Sequence, residues 1–201
     1  AFPSIVGSGE NSVILHYETN RRQTEPGDLV VIDVGAEVRG YAADVTRTVP
    51  VSGRFTDTQR AIYDLVYRAQ EAGIEATRVG APYLAPHRAA EAVMAEGLAE
   101  LGLIGSPSDF NGLRRFFMHA TSHYLGLDVH DVGGGGPLTA GTVITVEPGL
   151  YIPVAEDIDP QWWNIGVRIE DDILVTPQGP VNLSARAPRS STQVEALMSG
   201  S

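Results

Sequence analysis

Acidic side chains interrupt three runs of β-branched and apolar residues, and this pattern constrains the fold of the chain more than any other feature. Asp33 lies within Val-Val-Ile-Asp-Val-Gly, Glu147 ends Thr-Val-Ile-Thr-Val, and Glu170 follows Val-Arg-Ile. Such runs are typical of strands, which disfavour acidic residues, and a buried carboxylate is costly unless it is paired or bound to a cation. The sequence therefore predicts strands whose acidic residues meet at a buried site.

Two of the predicted strands, over residues 29–36 and 41–51, form a hairpin around an intervening Glu-Val-Arg-Gly turn. With the turn centred on its Val-Arg pair, Asp33 faces Asp44 across the hairpin, and their Cβ atoms lie roughly 4.5–5.5 Å apart. Two like charges at that distance require a positive group between them. A divalent cation and the side chain of Arg47 are the two candidates, and a shift of one residue in register would separate the pair.

The later acidic runs end in side chains that can join this site. Pro-Gly follows Glu147, so the chain turns there and aims the carboxylate at a strand end. Alternation places Arg168, Glu170 and Asp172 on one face of their strand. A solvated polar face with an Arg–Glu pair is the alternative for this strand, and we expect it for Asp171 and Asp172.

Three of the five histidines lie within one apolar segment. His119 and His123 are four residues apart, and His130 follows seven residues later. Imidazole nitrogen is a common ligand of divalent transition metals and can also polarise a carbonyl, although a histidine in an apolar segment can equally be a core residue. His16 lies in a short predicted strand and is ambiguous alone, whereas His87, in a predicted helix, is expected at the surface.

This inventory of carboxylates and imidazole favours a two-metal hydrolase. Mostly oxygen ligands with one imidazole suit manganese, cobalt or zinc better than a structural zinc site, and two cations roughly 3.5–4 Å apart could share the carboxylates. The chain has no Cys and no Lys, which excludes disulfides, thiolate ligands and Schiff-base chemistry. A net charge of −11 argues against nucleic acid as the main partner. No apolar run approaches the length of a membrane span, and no Gly-x-Ser-x-Gly motif is present.

The order of predicted elements is typical of an α+β domain, with strands, then two helices, then strands again. Thr56-Asp57-Thr58-Gln59 has the pattern of a capping box, and apolar residues follow it at helical spacing. A second helix is predicted over residues 86–101, with Gly102 as its C-terminal stop. The tail from about residue 185 is expected to be loose. The strands predicted outside the hairpin cover residues 12–17, 142–147 and 165–176.

Seven motifs in a fixed order resemble the catalytic domain of bacterial aminopeptidase P, and the likeness covers the chain from about Phe2 to the tail. They are His-Tyr-Glu-Thr-Asn from His16, Val-Ile-Asp-Val-Gly around Asp33, Gly-Tyr-Ala-Ala-Asp-Val-Thr-Arg-Thr around Asp44, His-Ala-Thr-Ser-His-Tyr-Leu-Gly from His119, His-Asp-Val-Gly from His130, Thr-Val-Glu-Pro-Gly-Leu-Tyr around Glu147 and Val-Arg-Ile-Glu-Asp-Asp around Glu170. The resemblance implies the pita-bread fold, a curved antiparallel sheet flanked by helices, which prolidase and methionine aminopeptidase share.

The resemblance also implies a ligand set for two metal ions. Asp33 matches a ligand of one metal only, Asp44 and Glu170 match carboxylates that bridge both metals, and His123 and Glu147 match the ligands that complete the other metal. Manganese is favoured by resemblance, while ligand type leaves cobalt and zinc open. The set is complete in this chain, which argues against a pita-bread binding module without hydrolytic activity.

The remaining site residues are expected around the substrate. By resemblance, His16, His119 and His130 line the substrate and polarise its carbonyl, while Arg168 braces the bridging carboxylate. The implied reaction is hydrolysis of an N-terminal Xaa-Pro bond by a hydroxide shared between the metals, with Glu147 carrying the proton to the leaving amine. Prolidase and methionine aminopeptidase activities are the alternatives. Expected walls of a proline pocket are Tyr17, Tyr124 and the histidine cluster.

The family's catalytic domain usually has further helices and a strand before the first of these motifs. We therefore expect residues 1–201 to be an N-terminally incomplete catalytic domain that acts with a separate or cleaved N-terminal segment, because the apolar start of the chain would otherwise expose a sheet edge. A homo-oligomer, a cytoplasmic location and a peptide substrate with proline at its second position complete the expectation.

Overall fold

A computed structural model describes residues 2–200 of the chain as an α+β fold, in which antiparallel strands precede and follow the helices. The strands are β1 (Ile5–Ser8), β2 (Leu29–Val34), β3 (Glu37–Val38), β4 (Tyr41–Ala42), β5 (Val45–Pro50), β6 (Val143–Val146), β7 (Gly149–Ile152), β8 (Ile165–Arg168), β9 (Asp171–Thr176) and β10 (Gly179–Asn182). The α-helices are α1 (Asp57–Ala76), α2 (Ala85–Glu100), α3 (Phe110–Phe116) and α4 (Ser191–Met198). Short 3₁₀ helices cover Gly9–Val13 and Pro160–Trp162.

Two three-stranded antiparallel sheets provide the frame of the molecule. Their strand orders are β1-β2-β5 and β10-β9-β6, and β7 pairs with β8 in a separate ladder. The sheets meet where the Glu170 N–H donates to the Thr46 carbonyl at 3.1 Å. Strand ends that carry acidic residues in different sheets are thereby brought to one place.

Helices α1 and α2 cover these strands and form most of the apolar core. Thr56 caps α1 and forms a capping box with Gln59, as predicted. The chain leaves α2 through Gly102, whose φ of +72° suits glycine. Ile62 of α1 and Leu98 of α2 are both fully buried, and each such side chain stabilises the fold by about 1.5–3 kcal/mol.

The hairpin of β2 and β5 has a different register from the predicted one. Asp33 pairs with Thr46 rather than with Asp44. The two central residues of the turn, Arg39 and Gly40, both have positive φ, at 55° and 85°. A two-residue turn of this kind needs left-handed backbone at both positions, which glycine supplies without strain and a β-branched valine does not, so the turn is centred one residue later than expected.

The predicted strand over residues 12–17 is wrong. Strand β1 ends earlier, because Gly9 takes a φ of +56° and opens a 3₁₀ helix. The Ser12 hydroxyl then accepts the Gly166 N–H at 3.0 Å and fixes this helix against β8. As a result, His16 lies in a turn, and the strand predicted over residues 165–176 is divided into β8 and β9 at Glu170.

The tail is not loose, in contrast to the expectation for residues beyond 185. Ser190 and Gln193 form a capping box that starts α4, and Val194 is buried. Glu195 forms an ion pair with Arg60 of α1 and accepts the Phe55 N–H at 2.9 Å. Within residues 2–200, no helix combines the length and the apolar character needed to cross a membrane.

Candidate metal centre

Five side chains predicted as metal ligands line one cavity of about 310 Å³. Asp33 lies near the end of β2, and Asp44 lies immediately before β5. Glu170 occupies the break between β8 and β9. The cavity is lined by Leu15, His16, Asp33, Asp44, His119, Ala120, Ser122, His123, His130, Glu147, Arg168 and Glu170.

The corrected register still brings Asp33 and Asp44 together. Thr46 of β5 is directly opposite Asp33. Asp44 lies two residues before Thr46 in the same extended segment. Side chains alternate with a period of two, so a shift of two positions keeps both carboxylates on the same face as diagonal neighbours. Arg47 is not the positive group between them, because its guanidinium lies on the other face and donates to Asp171 at 2.7 Å.

His123 reaches the cavity because its segment pairs with β6. The Thr145 N–H donates to the His123 carbonyl at 3.0 Å, and the Glu147 N–H donates to the Thr121 carbonyl at 2.8 Å. The His123 Nδ1 lies 3.1 Å from the Tyr124 carbonyl, which requires Nδ1 to carry the proton. In the neutral ring, Nε2 then carries the lone pair, as in a metal-ligating imidazole.

The donor atoms converge as a cation site requires. One ligand atom from each of Asp44, His123 and Glu170 lies within 4.8 Å of the others. The His123 Nε2 is 3.4 Å from Asp44 Oδ2 and 3.5 Å from Glu147 Oε1. Asp33 Oδ1 and Asp44 Oδ1 are buried and have no hydrogen-bond partner in the described part of the chain. Buried acceptors without a donor are costly, so these atoms fit a bound cation.

The pKa values of the buried carboxylates also favour bound cations at this site. Burial raises the pKa of Glu170 well above its ordinary value and that of Glu147 to about 7, and the neighbouring carboxylates add to both shifts. Burial also raises the pKa of Asp33, against the attraction of Arg168. Four carboxylates share this cavity with one guanidinium, so divalent cations would supply the charge that allows them all to ionise.

Arg168 braces the site through a network that includes Thr46. Its guanidinium is buried and donates to Asp33 Oδ2 at 2.7 Å and to Thr46 Oγ1 at 3.1 Å. The Thr46 hydroxyl in turn donates to Glu170 Oε2 at 2.5 Å. Arg168 thus contacts Asp33 directly and reaches Glu170 through a threonine.

His119 is held as a neutral imidazole with both nitrogens engaged. Its Nδ1 lies 2.8 Å from the Ala120 carbonyl, so Nδ1 is the donor. Its Nε2 lies 2.9 Å from the Tyr151 hydroxyl, which must therefore donate to it. The same hydroxyl accepts from Arg168 at 3.0 Å. Burial lowers the pKa of His119 to about 4, which keeps this tautomer uncharged at neutral pH.

His16 and His130 lie at the open side of the cavity, and both are exposed. The His130 ring packs edge-on against His123, with centroids 4.5 Å apart. Burial and the neighbouring His123 lower the pKa of His130. All nine residues given metal or catalytic roles from the sequence, Arg168 among them, therefore line one cavity.

Some expectations about neighbouring residues are wrong. Asp171 and Asp172 are buried rather than solvated: the first accepts from Arg47, and the second accepts the Asp44 N–H at 3.3 Å. Burial raises the pKa of Asp172 to about 7. Tyr17 and Tyr124 are absent from the lining of the cavity, whose wall beside His119 is formed by Ala120 and Ser122.

His87 is the residue near the site that the sequence pattern misplaced. It is half-buried rather than at the surface, and its Nδ1 lies 2.9 Å from the Thr121 hydroxyl. Its ring packs against Phe117, with centroids 5.2 Å apart, and Phe117 packs edge-on against His119. Its position in the first turn of α2 gives no sequence signal for this contact, because Thr121 lies 34 residues further along the chain.

Comparison with known proteins agrees with this site. The model of metallopeptidase family M24 matches residues 1–177. The chain is 46% identical over 207 residues to Xaa-Pro aminopeptidase of Escherichia coli strain K12, a match that covers 98% of this chain and 47% of that protein. It is 47% identical over 211 residues to Xaa-Pro aminopeptidase 2 of Streptomyces coelicolor, covering 98% of this chain and 45% of the relative.

Solved structures extend the comparison to the fold. Aminopeptidase P from Escherichia coli with the inhibitor Pro-Leu superposes with a TM-score of 0.95 at 45% identity, over 99% of this chain and 47% of that one. Proline aminopeptidase P II from Yersinia pestis gives the same TM-score and identity, over 100% and 48% of the two chains. The predicted pita-bread fold is confirmed, and the chain spans about half the length of the relatives it matches.

Proposed function

This chain belongs to metallopeptidase family M24, and on that premise we propose that it is the catalytic domain of a metal-dependent aminopeptidase that hydrolyses the N-terminal Xaa-Pro bond of peptides. The observation that carries the proposal is the convergence of four carboxylates and Nε2 of one imidazole on a single cavity, where two buried oxygens have no hydrogen-bond partner among the described residues. The relatives named Xaa-Pro aminopeptidase supply the substrate class.

Two divalent ions fit these residues. Asp33 would hold one ion, His123 and Glu147 the other, and Asp44 and Glu170 would bridge them. When bound, such a pair activates a water and polarises the scissile carbonyl. The donor set is mostly oxygen with one imidazole, which supports manganese, with cobalt and zinc as alternatives.

Glu147 is the proposed proton carrier between the attacking water and the leaving amine. Its two oxygens face different neighbours: Oε1 lies 3.5 Å from His123 Nε2, and Oε2 lies 3.9 Å from His119 Nδ1. One oxygen can therefore face the cation site while the other faces the substrate. A carboxylate in this position can accept a proton on one side and return it on the other.

His130 is the proposed donor to the oxyanion that develops on the scissile carbonyl. It lines the cavity, and in the described part of the chain no hydrogen bond occupies its ring nitrogens. His119 is less suited to this role, because Nδ1 already donates to Ala120 and Nε2 accepts from Tyr151. His119 instead holds the Tyr151 hydroxyl, which in turn accepts a hydrogen bond from Arg168.

Preference for proline at the second position fits a site that offers shape rather than a hydrogen-bond acceptor for the scissile N–H. A prolyl bond has no N–H, and its φ is restricted. Leu15, Ala120 and Ser122 supply small and apolar walls beside the histidines. A rigid ring can pack there at low entropic cost.

The test is a peptidase assay on a Xaa-Pro-Ala tripeptide with and without added Mn²⁺. Release of the first residue only in the presence of the metal is expected. A Xaa-Pro dipeptide and a Met-Ala-Ala tripeptide serve as the rival substrates, since prolidase would favour the former and methionine aminopeptidase the latter. Equal rates on Xaa-Pro-Ala and Xaa-Ala-Ala would contradict the assignment, and metal binding without any hydrolysis would indicate a binding module.

The finer expectations about partners stay predictions. A separate N-terminal segment, self-association and a cytoplasmic location are supported here only by the family resemblance. Sedimentation of the protein alone and with the upstream half of a relative would test the first two.

A further inference from the structure

A second cavity of about 180 Å³ adjoins the metal centre. It shares Asp33, Asp44, His16 and His130 with the first cavity, and residues near the start of the chain supply part of its remaining wall. Its volume is below the range of about 300–1,000 Å³ that accommodates whole small ligands. It can therefore take one side chain but not a length of peptide.

The two cavities differ in the part of a peptide that each can receive. An aminopeptidase binds a single residue on the amino side of the scissile bond and a chain of any length on the other side. The second cavity has room for about one residue, and the carboxylates of Asp33 and Asp44 line it. No Arg lines it among the described residues, whereas Arg168 lines the first cavity. The smaller cavity thus suits the N-terminal residue with its ammonium group.

The walls of this cavity are apolar, and its rim is acidic. Phe2, Ile5 and Val129 supply the apolar surface, and Glu18 supplies a carboxylate. Glu18 is exposed, and in the described part of the chain no hydrogen bond or ion pair holds its side chain. Asp33 and Asp44 belong to the cation site, so Glu18 is the carboxylate of this cavity whose charge remains uncompensated.

We propose that the second cavity is a first-residue pocket in which Glu18 makes the enzyme favour arginine or lysine at the N-terminus of its substrate. This inference rests on the proposed function. A long basic side chain matches the pocket in both parts: its aliphatic stem packs on Phe2 and Val129, and its charged tip reaches the Glu18 carboxylate. A guanidinium can also stack on the phenyl ring of Phe2.

The size of the effect follows from the exposure of Glu18. Exposed ion pairs contribute about 0.2–1 kcal/mol, which is a factor of about 1.4–5 in kcat/KM. The proposal therefore predicts a modest preference that falls with ionic strength, because salt screens exposed charges.

The experiment compares Arg-Pro-Ala with citrulline-Pro-Ala, two peptides that have nearly the same shape and differ in charge. With the Mn²⁺-loaded wild-type protein, kcat/KM should be about 1.4–5-fold higher for the arginine peptide. Glu18→Gln should bring the ratio close to one, and Glu18→Arg should bring it below one. Glu10→Gln removes another exposed carboxylate and should leave the wild-type ratio in place. An unchanged ratio in both Glu18 variants would overturn the proposal.

Failure of the proposed function would give a different result. In that case none of the variants would release a first residue from either peptide. Calorimetric titration of the two peptides into wild-type protein and Glu18→Gln then decides the pocket proposal without turnover. Tighter binding of the arginine peptide that is lost in Glu18→Gln supports it, and equal affinities for the two peptides in the wild-type protein overturn it.

Discussion

At the scale of single residues, Asp44 has one oxygen that is buried and accepts no hydrogen bond in the described part of the chain. Its other oxygen lies 3.4 Å from His123 Nε2. Asp33 differs, because Arg168 donates to it. The protein therefore compensates the charge of Asp44 less than that of Asp33, and Asp44 is the better position for a charge-removing test.

We expect Asp44→Asn to abolish activity and to preserve the fold. Activity should fall at least about 10³-fold, because a bound metal supplies several kcal/mol of transition-state stabilisation. The melting temperature of the metal-free variant should equal or exceed that of the wild type, since one repulsive charge is gone. Turnover at saturating Mn²⁺ and calorimetry in EDTA measure the two effects, with the exposed Glu96→Gln as control. Near wild-type turnover of a metal-saturated variant would rule out the two-metal mechanism.

His130→Ala tests a different role at the same scale. We expect turnover to fall by roughly 10²–10⁴-fold, as for the loss of an acid or oxyanion donor, while metal content stays near that of the wild type. The physical reason is that His130 lines the cavity and packs on the His123 ring without belonging to the convergent donor set. Single-turnover kinetics measure the loss of activity, and elemental analysis measures the metal content. Loss of metal would identify His130 as a ligand and contradict the prediction.

At the scale of secondary-structure elements, the sequence predicted the parts that depend on local chemistry. The capping box at Thr56 and the glycine stop after α2 are determined within a few residues, and both are confirmed. The proposed carboxylate ligands were recognisable because acidic residues are disfavoured in runs of β-branched residues. The turn of the β2–β5 hairpin was misplaced by one residue. Arg39 is central in both candidate turns, and the choice depends on Gly40, rather than Val38, taking the second left-handed position.

The missed elements depend on contacts far apart in the sequence. The strand predicted around His16 fails because Ser12 is held by Gly166, 154 residues away. The tail helix is stabilised by Arg60, which pairs with Glu195 at a separation of 135 residues. The burial of Asp171 depends on Arg47 of another sheet. A pattern read over ten or twenty residues contains none of these contacts.

The contact between α2 and the segment that carries the site histidines leads to a prediction at this scale. His87 contacts the Thr121 hydroxyl, and the Thr121 carbonyl accepts the Glu147 N–H. We expect His87→Ala and Thr121→Val each to lower kcat about tenfold with little change in KM, because small displacements of a catalytic group are costly. The double variant should lose little more than either single variant.

The coupling between His87 and Thr121 is measured from kcat of the wild type, the two single variants and the double variant. Arg88→Ala, at an exposed position on α2, is the control. A role confined to stability would lower the melting temperature and leave kcat of the folded protein unchanged. Additive effects on kcat would show that the two residues act independently and would contradict the prediction.

At the scale of the whole molecule, the acidic site makes the stability of the metal-free fold depend on pH. Burial raises the pKa of Glu147 to about 7 from an ordinary value near 4.5. Between these values the unfolded chain releases a proton that the folded chain retains, so stability falls as pH rises through this window and then levels off. A shift of this size corresponds to at most about 3 kcal/mol.

We therefore expect the metal-free protein to lose stability between about pH 4.5 and 7 relative to Glu147→Gln, which carries no titratable group at this position. Denaturant unfolding of both proteins in EDTA across that range gives the difference, and Glu156→Gln, an exposed carboxylate, should track the wild type. Saturating Mn²⁺ should raise wild-type stability most at the upper end of the range, because the ions compete with protons for the same oxygens. Parallel stability curves for the wild type and Glu147→Gln in EDTA would contradict this prediction, because they would show that folding does not raise the pKa of Glu147. The electrostatic argument for a cation site would then depend on the raised pKa values of Glu170 and Asp33.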